Sequence, residues 1–277
     1  MRTSLIVTTY NWKEALDLVL RSIARQSELP DEIVVADDGS RPDTAEVIEG
    51  WRPRISVPLR HIWQDDSGFR LSRVRNLAIA AALGDYLLII DGDMVLHRHF
   101  VADHKKAARR GFFVQGPRVL TRPEAAARIL QEGRVDLGFF TPGVERRRHL
   151  LRIPLLSRLL LIPAHSNQRT IRGSNQGYWR EDLIRVNGFD EQMIGWGRED
   201  NELAARLYHS GIFRRDLRFG GLAIHLWHRA RTPEGENPND CYLRKTIETR
   251  ATRCNVGIDG NLVEADQSYG SGGFLPR

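Results

Sequence analysis

Apolar residues in the first third of the chain follow two alternating rhythms. Leu5-Ile6-Val7 is a short unbroken run that stops at Thr8-Thr9-Tyr10-Asn11; Ala15, Leu16, Val19, Leu20, Ile23 and Ala24 then recur at helical spacing until Pro30 ends the pattern. Ile33-Val34-Val35-Ala36 is a second, β-branched run, ending in Asp37-Asp38-Gly39-Ser40. Strand, helix, strand in this order is a βαβ unit, and strands without polar alternation are expected to be parallel and buried on both faces. The pattern predicts a further strand over residues 60–63, a polar turn at Asp65-Asp66-Ser67-Gly68, and a helix carried by Val74, Leu77, Ala78 and Ala81 with Gly84 as its cap. Tyr86-Leu87-Leu88-Ile89-Ile90, the most apolar strand, runs straight into Asp91-Gly92-Asp93. Three strands therefore end in polar or acidic residues. In open α/β sheets the carboxyl ends of the strands line the ligand crevice, so these endings are expected to converge.

The second half is less regular. Residues 146–163 interleave Arg146, Arg147, Arg148, Arg152 and Arg158 with seven leucines. Those charges, with Pro154 and Pro163, exclude a spanning helix. Two arrangements remain: a buried helix pair with its arginines on one solvated face, or an amphipathic surface whose leucines enter an acyl boundary while guanidinium groups meet lipid phosphates. Neither a repeat nor a Pro- or Ser-rich linker marks a domain boundary, so the 277 residues read as one α/β domain, with residues 267–277 as a glycine-containing tail.

Composition narrows this picture modestly. Hydrophobic residues make up 41% and are spread along the whole length, as in a globular protein. The net charge of +6 calls for an anionic partner, and without zinc-knuckle spacing or a ribonucleoprotein-type aromatic motif, nucleic acid is not expected to be that partner. Cys241 and Cys254 are too few for a disulfide framework, which suits a reducing cytoplasm, and residues 1–7 read as a first strand rather than a signal peptide.

Asp-Gly-Asp is also an ordinary turn. At the end of a buried strand, however, Asp91 and Asp93 can approach one small ligand, and two carboxylates at that spacing suit a hard divalent cation able to clamp a diphosphate. Val7-Thr8-Thr9-Tyr10-Asn11, Glu32 to Ser40, Arg75-Asn76 and Asp91-Gly92-Asp93 together resemble glycosyltransferase family 2 with the GT-A fold. Gly188-Phe189-Asp190-Glu191 followed by Gly195-Trp196-Gly197-Arg198-Glu199-Asp200-Asn201-Glu202-Leu203 is similar to the carboxyl-terminal galactosyltransferase-type module of β-1,4-galactosyltransferases and chondroitin-type polymerases. The resemblance covers residues 4 to about 240.

The resemblance implies a Rossmann-like, mostly parallel sheet with helices on both faces, in a single domain. Residues 1–118 would bind the nucleotide-sugar, 119–240 the acceptor, and 241–277 would extend the carboxyl terminus. It also implies that Thr8, Tyr10 and Asp38 hold uracil and ribose, that Asp91 contacts the ribose or a metal-bound water, and that Asp93 binds Mn2+ or Mg2+. Arg75 is expected on the diphosphate or in an ion pair with the acidic motif; a solvated helix position is the plain alternative.

Inverting transfer needs a carboxylate to take the acceptor hydroxyl's proton. Glu199 and Asp200 open a helix carrying Leu203 and Leu207, where the dipole favours ionised acids and simple capping is the plain reading. The resemblance makes Asp200 the base and Glu199 the group that orients an acceptor hydroxyl. Trp196, on a Gly-flanked turn, offers a face for a sugar ring, and the family block often carries glycine where this chain has Arg198. Leu222-Ala223-Ile224 reads as a strand leading to His225-Leu226-Trp227-His228; imidazole completes such a metal site. His225 and His228 are thus both candidate ligands, His228 slightly favoured, while His97, His99 and His104 read as a surface group on a helix. Asn175, in Gly173-Ser174-Asn175, is either an acceptor contact or part of a plain turn.

The expectation is an inverting, metal-dependent glycosyltransferase using a UDP-sugar and a glycan or lipid-linked glycan acceptor in bacterial-type surface polysaccharide or lipopolysaccharide synthesis. Its place is the cytoplasm, peripheral on the inner face of an anionic membrane. The rivals are a sugar nucleotidyltransferase, disfavoured because the first strand is not followed by a glycine-rich phosphate loop, and a non-catalytic nucleotide-sugar-binding module.

Overall fold

A computed structural model describes residues 1–160, 162–163, 168–229 and 236–262. The first half is β1 (Thr3–Thr9), α1 (Lys13–Ala24), β2 (Glu32–Asp37), α2 (Pro42–Trp51), β3 (Leu59–Trp63), α3 (Leu71–Ala81) and β4 (Tyr86–Asp91). All four strands pair in parallel, in the order β3, β2, β1, β4. Strand parity explains the layers, because successive side chains point to opposite faces. Leu5, Val7, Ile33, Val35, Leu88 and Ile90 pack against α1 and α2, whereas Ile6, Val34, Ala36, Leu87 and Ile89 pack against α3 on the other face.

The second half begins with β5 (Met94–Leu96), α4 (Phe100–Ala107), β6 (Phe112–Gln115), β7 (Arg118–Leu120), α5 (Pro123–Glu132), α6 (Pro154–Leu159) and β8 (Ile162–Pro163). It continues with β9 (Asn175–Trp179), α7 (Arg180–Arg185), α8 (Glu199–His209), β10 (Phe213–Asp216), β11 (Ala223–His225) and α9 (Asp240–Thr249). The large sheet continues past β4 through β9, β6, β10 and β8. Of its eight strands, β9 and β8 run against the rest. A second sheet, ordered β5, β11, β7, packs Val95, Val119 and Ile224 against Ala126 and Ile129 of α5.

Some local expectations change. α3 ends on Ala82 in an extended conformation, so Gly84 is not its cap. Gly84 lies so close to β1 that a Cβ would meet Ser4 at 2.5 Å, and close packing is what its missing side chain permits. α2 is not foreseen by the pattern; it buries only Thr44, Ile48 and Trp51, too sparse a stripe to stand out. His97 and His99 precede α4, and His104 within it is fully buried, so the three do not form a surface group. The tail at 267–277 lies outside the described residues.

Candidate functional site

Register brings the three polar strand endings together, with Thr9 opposite Asp37 and Thr8 opposite Asp91. Gly92 permits the next step, since a Cβ there would lie 2.4 Å from the Thr8 carbonyl oxygen. The chain therefore passes tightly over β1 and delivers Asp93 to the small sheet. β5 pairs antiparallel with β11, setting His225 opposite Met94, and the Leu226 N–H donates to the Asp93 carbonyl at 2.9 Å.

As a result, His225 and His228, remote from Asp93 in sequence, each place Nε2 3.2 Å from its Oδ2. One ligand atom from each of the three lies within 4.8 Å of the others, a constellation able to hold a metal ion. Burial works against the Asp93 charge, but hydrogen bonds from His225 and His228 outweigh it and hold the carboxyl down at about 2. The hydrogen bond to Asp93 in turn raises His228. Among the described residues Asp93 Oδ1 is buried without a hydrogen-bond partner, a cost of about 1–3 kcal/mol that a bound cation would relieve. A carboxylate with two imidazoles fits a divalent metal with positions left for a phosphate.

Arg75 connects this motif to the second half. It is 1% exposed, donates to Asp91 Oδ1 at 3.1 Å and to Glu199 Oε1 at 3.3 Å, and lies over the Phe189 ring at 5.0 Å. It is thus the centre of a buried ion-pair network rather than a solvated helix residue, and its guanidinium faces carboxylates instead of an open diphosphate position. Its neighbour Asn76, part of the same motif, has a role that the sequence does not assign. It pins the following loop by donating to the Phe189 carbonyl and Glu191 Oε1, and accepting from the Phe189 N–H.

Glu199 and Asp200 open α8, whose N-cap residue Arg198 makes no side-chain capping bond. Asp200 accepts the Gly173 N–H at 2.5 Å, and its charge is felt at Asp91. Burial first, then the Asp200 charge, push Glu199 up to about 8 against the pull of Arg75. Glu199 therefore holds its proton more readily than an ordinary carboxyl, and Asp200 is the more accessible of the two.

Trp196 stands 51% exposed on a turn whose Gly195 and Gly197 have φ of 86° and 97°. Asn237 and Asn239 fasten this turn by donating to the carbonyls of Trp196 and Gly197. Arg198 itself has φ 76°, which accounts for a glycine being suited to that position, and its Nε is anchored on Asp240 at 2.5 Å.

On the donor side Thr8 Oγ1 donates to Asp91 at 3.3 Å, and the Tyr10 hydroxyl to Asp66 at 3.1 Å. Asp38 accepts from the Gln64 amide and from the Arg70 N–H at 3.0 Å, so any nucleoside contact would use its remaining lone pairs. Asn175 departs from its expected role as an acceptor contact. It is 1% exposed; its amide donates to the Pro117 and Gly221 carbonyls and accepts from His104 Nε2, each at 2.9 Å. Burial pushes His104 down to about 4, leaving it a neutral structural donor. Asn175 thus stitches β9 to the β6–β7 connection, with no amide group left to face a ligand.

The glycosyl transferase family 2 model matches residues 4–179. A second, described as the N-terminal domain of galactosyltransferase, matches 162–224 and includes the Trp196 to Asp200 block. Chondroitin synthase from Escherichia coli is 26% identical over 91% of this chain, which spans 38% of that relative's length. Among solved structures, Staphylococcus aureus TarS 1–349 in complex with UDP superimposes with TM-score 0.61, at 18% identity, covering 98% of this chain and 72% of that one. The mannosyltransferase PcManGT from Pyrobaculum calidifontis, in complex with GDP-Man and Mn2+, gives 0.56, at 18% identity, covering 99% and 76%. With the acidic strand endings, the aspartate-histidine cluster and the acidic helix start in one GT-A fold, the chain belongs to glycosyl transferase family 2.

Proposed function

We propose that this protein is an inverting, metal-dependent glycosyltransferase that moves a sugar from a nucleotide-sugar, a UDP-sugar in the first instance, to a glycan or lipid-linked glycan acceptor. The observation that carries this reading is Arg75, which ties Asp91 of the donor half to Glu199, the neighbour of Asp200, in the acceptor half. Asp200 takes the proton from the acceptor hydroxyl as that oxygen attacks the anomeric carbon; the bond to the diphosphate breaks on the opposite face and the nucleoside diphosphate departs. The Gly173 N–H and the neighbouring Glu199 carboxyl, raised by burial, fix the position of Asp200. Asp93, His225 and His228 would hold Mn2+ or Mg2+, which when bound neutralises charge on the leaving diphosphate. Thr8, Tyr10 and Asp38 would meet the nucleoside, and Trp196 would stack on an acceptor or donor ring.

The test is a panel of UDP-glucose, UDP-galactose, UDP-N-acetylhexosamines, UDP-glucuronate and GDP-mannose, assayed for Mn2+-dependent release of the nucleoside diphosphate. Release of pyrophosphate from UTP instead would assign the chain to nucleotidyl transfer. No turnover of any donor at any metal concentration would leave a binding module.

The membrane location rests on residues 146–160. Leu155 and Leu159 are each 70% exposed, Leu151, Leu156 and Leu160 are exposed beside them, and Arg147, Arg148 and Arg158 are exposed as well; Leu161 lies outside the described residues. A buried helix pair is therefore not formed. No described helix is long and apolar enough to cross a membrane. The exposed leucines support interfacial docking with about 1 kcal/mol per arginine on an anionic leaflet. Flotation with anionic liposomes, released by salt and lost in Arg147→Glu with Arg148→Glu, checks it; a wild-type protein that never floats rules it out.

A further inference from the structure

Gln115, at the end of β6, organises a set of arginines around the acceptor side of the site. Its side-chain carbonyl accepts the Arg172 N–H at 2.9 Å, its amide donates to the Thr170 carbonyl at 2.9 Å, and its backbone carbonyl accepts the N–H of Leu217, the residue before Arg218, at 2.9 Å. Arg118 opens β7 three positions later, opposite Ala223. The segment leading to Arg146 runs beside β7, where the Glu145 N–H donates to the Leu120 carbonyl at 2.8 Å and Val144 bridges Thr121. Four chain segments thus deliver Arg118, Arg146, Arg172 and Arg218 to one neighbourhood. Among the described residues none of the four has a carboxylate partner, unlike Arg75, Arg152 or Arg206.

Their charges bear on one another and on His149: partial desolvation first, then Arg118 and Arg146, lowers Arg172, and partial desolvation first, then Arg148, Arg146, Arg172 and Arg218, lowers His149. Holding like charges together without counter-charge is unfavourable, and an arriving anion relieves it. The cluster also sits next to the chemistry. Arg172 is followed directly by Gly173, whose N–H binds Asp200 and whose Cα is about 3.8 Å from that of Arg172. Arg172 is exposed, so its guanidinium can meet a ligand arriving from solvent one residue away from the Gly173–Asp200 contact.

We propose that Arg118, Arg146, Arg172 and Arg218 form an acceptor subsite for a negatively charged group, phosphate or carboxylate, on the glycan that receives the sugar. This rests on Asp200 being the base; the cluster then defines the acceptor as an acidic saccharide whose charge lies close to the reacting hydroxyl. Bidentate guanidinium pairing suits both anions, and several arginines offer redundancy for a repeating anionic chain.

The test uses one sugar frame in three charge states: cellotetraose, its C6-carboxylate and its 6-phosphate, titrated by NMR into the full chain saturated with UDP and diamagnetic Mg2+ so that the donor site is occupied. At least one anionic form is expected to bind tenfold or more tightly than the neutral form. Arg118→Ala with Arg172→Ala removes that preference while UDP affinity stays unchanged, and Arg52→Ala, a distant surface arginine paired with Glu49, preserves it. Which anion wins separates a phosphate-bearing from a uronate-type acceptor. Equal binding of all three, no binding of any, or the same loss in Arg52→Ala overturns the subsite. Anionic vesicles captured by the wild type but not by the double variant, without oligosaccharide preference, also overturn it, in favour of a lipid surface. Failure of UDP to bind in the same sample counts against the glycosyltransferase reading itself, and the anion preference is then measured without nucleotide.

Discussion

Replacing Glu199 by Gln isolates the electrostatic asymmetry at the start of α8. Glu199 is 8% exposed, with Oε1 on Arg75 and its carboxyl beside that of Asp200. Burial and the neighbouring Asp200 charge raise its carboxyl from 4.5 to about 8. In the unfolded chain it ionises near its ordinary value, so between these two pH values the folded state binds the extra proton. Stability from this group is fully present below pH 4.5 and is lost as pH rises through 8. At about 1.4 kcal/mol per pH unit the ceiling is about 5 kcal/mol. Solvent entry and rearrangement around Arg75 reduce this to an expected loss of about 2 kcal/mol, or about 5 °C in Tm for a chain of this size. Gln is isosteric with the protonated acid and can still accept from Arg75, but it has no proton to lose. Melting of the wild type and Glu199→Gln from pH 5 to pH 9 should give similar Tm at the acid end, with the variant about 5 °C higher at the alkaline end. Parallel curves would refute the raised Glu199 carboxyl. Asp200→Asn supplies a second check, because removing the neighbouring charge should flatten the wild-type dependence.

Three further outcomes are expected. Asp200→Asn should leave UDP binding nearly intact and lower turnover by roughly a hundredfold or more, as loss of a general base does; near wild-type turnover would exclude Asp200 as the base. Asp93→Ala, His225→Ala and His228→Ala should each weaken Mn2+-dependent UDP binding in calorimetry, since both imidazoles sit at the same distance from Asp93. A silent His228→Ala beside a damaging His225→Ala would make His225 the ligand, and two silent variants would place the metal without histidine. Asn175→Ala breaks three buried hydrogen bonds and should lower stability by about 2–4 kcal/mol with UDP affinity retained; an unchanged melt with a raised acceptor KM would return Asn175 to the acceptor pocket.

The donor half is legible in sequence because its strands are buried on both faces and its helices carry one apolar stripe, so each element announces itself within a few residues. The acceptor half is assembled by pairing between distant segments. β9, inserted antiparallel between β4 and β6, reads NQGYW, with neither apolar continuity nor alternation to mark it. Asn175 is the instructive failure. A Gly-Ser-Asn sequence has the chemistry of a ligand contact and the chemistry of a turn, and only the convergence of His104, Pro117 and Gly221 on one amide shows that its capacity is spent inside the protein.

Arg75 is a different case, since part of its role is written locally. Residues 77–83 read Leu-Ala-Ile-Ala-Ala-Ala-Leu, apolar at every position, and in the structure Ser72, Val74, Arg75, Asn76, Ala78, Ile79, Ala80 and Ala81 of α3 are all buried. A helix with so narrow a solvated face leaves little room for an arginine to reach water, so Arg75 must find charged partners or impose an uncompensated buried charge. That requirement could be read from the sequence, and so could the acidic motif that supplies Asp91 as one partner; Glu199 could not, because it is brought to Arg75 from the distant half of the chain beside the loop that Asn76 holds. A helix that looked apolar all round would have argued against a solvated arginine at its start.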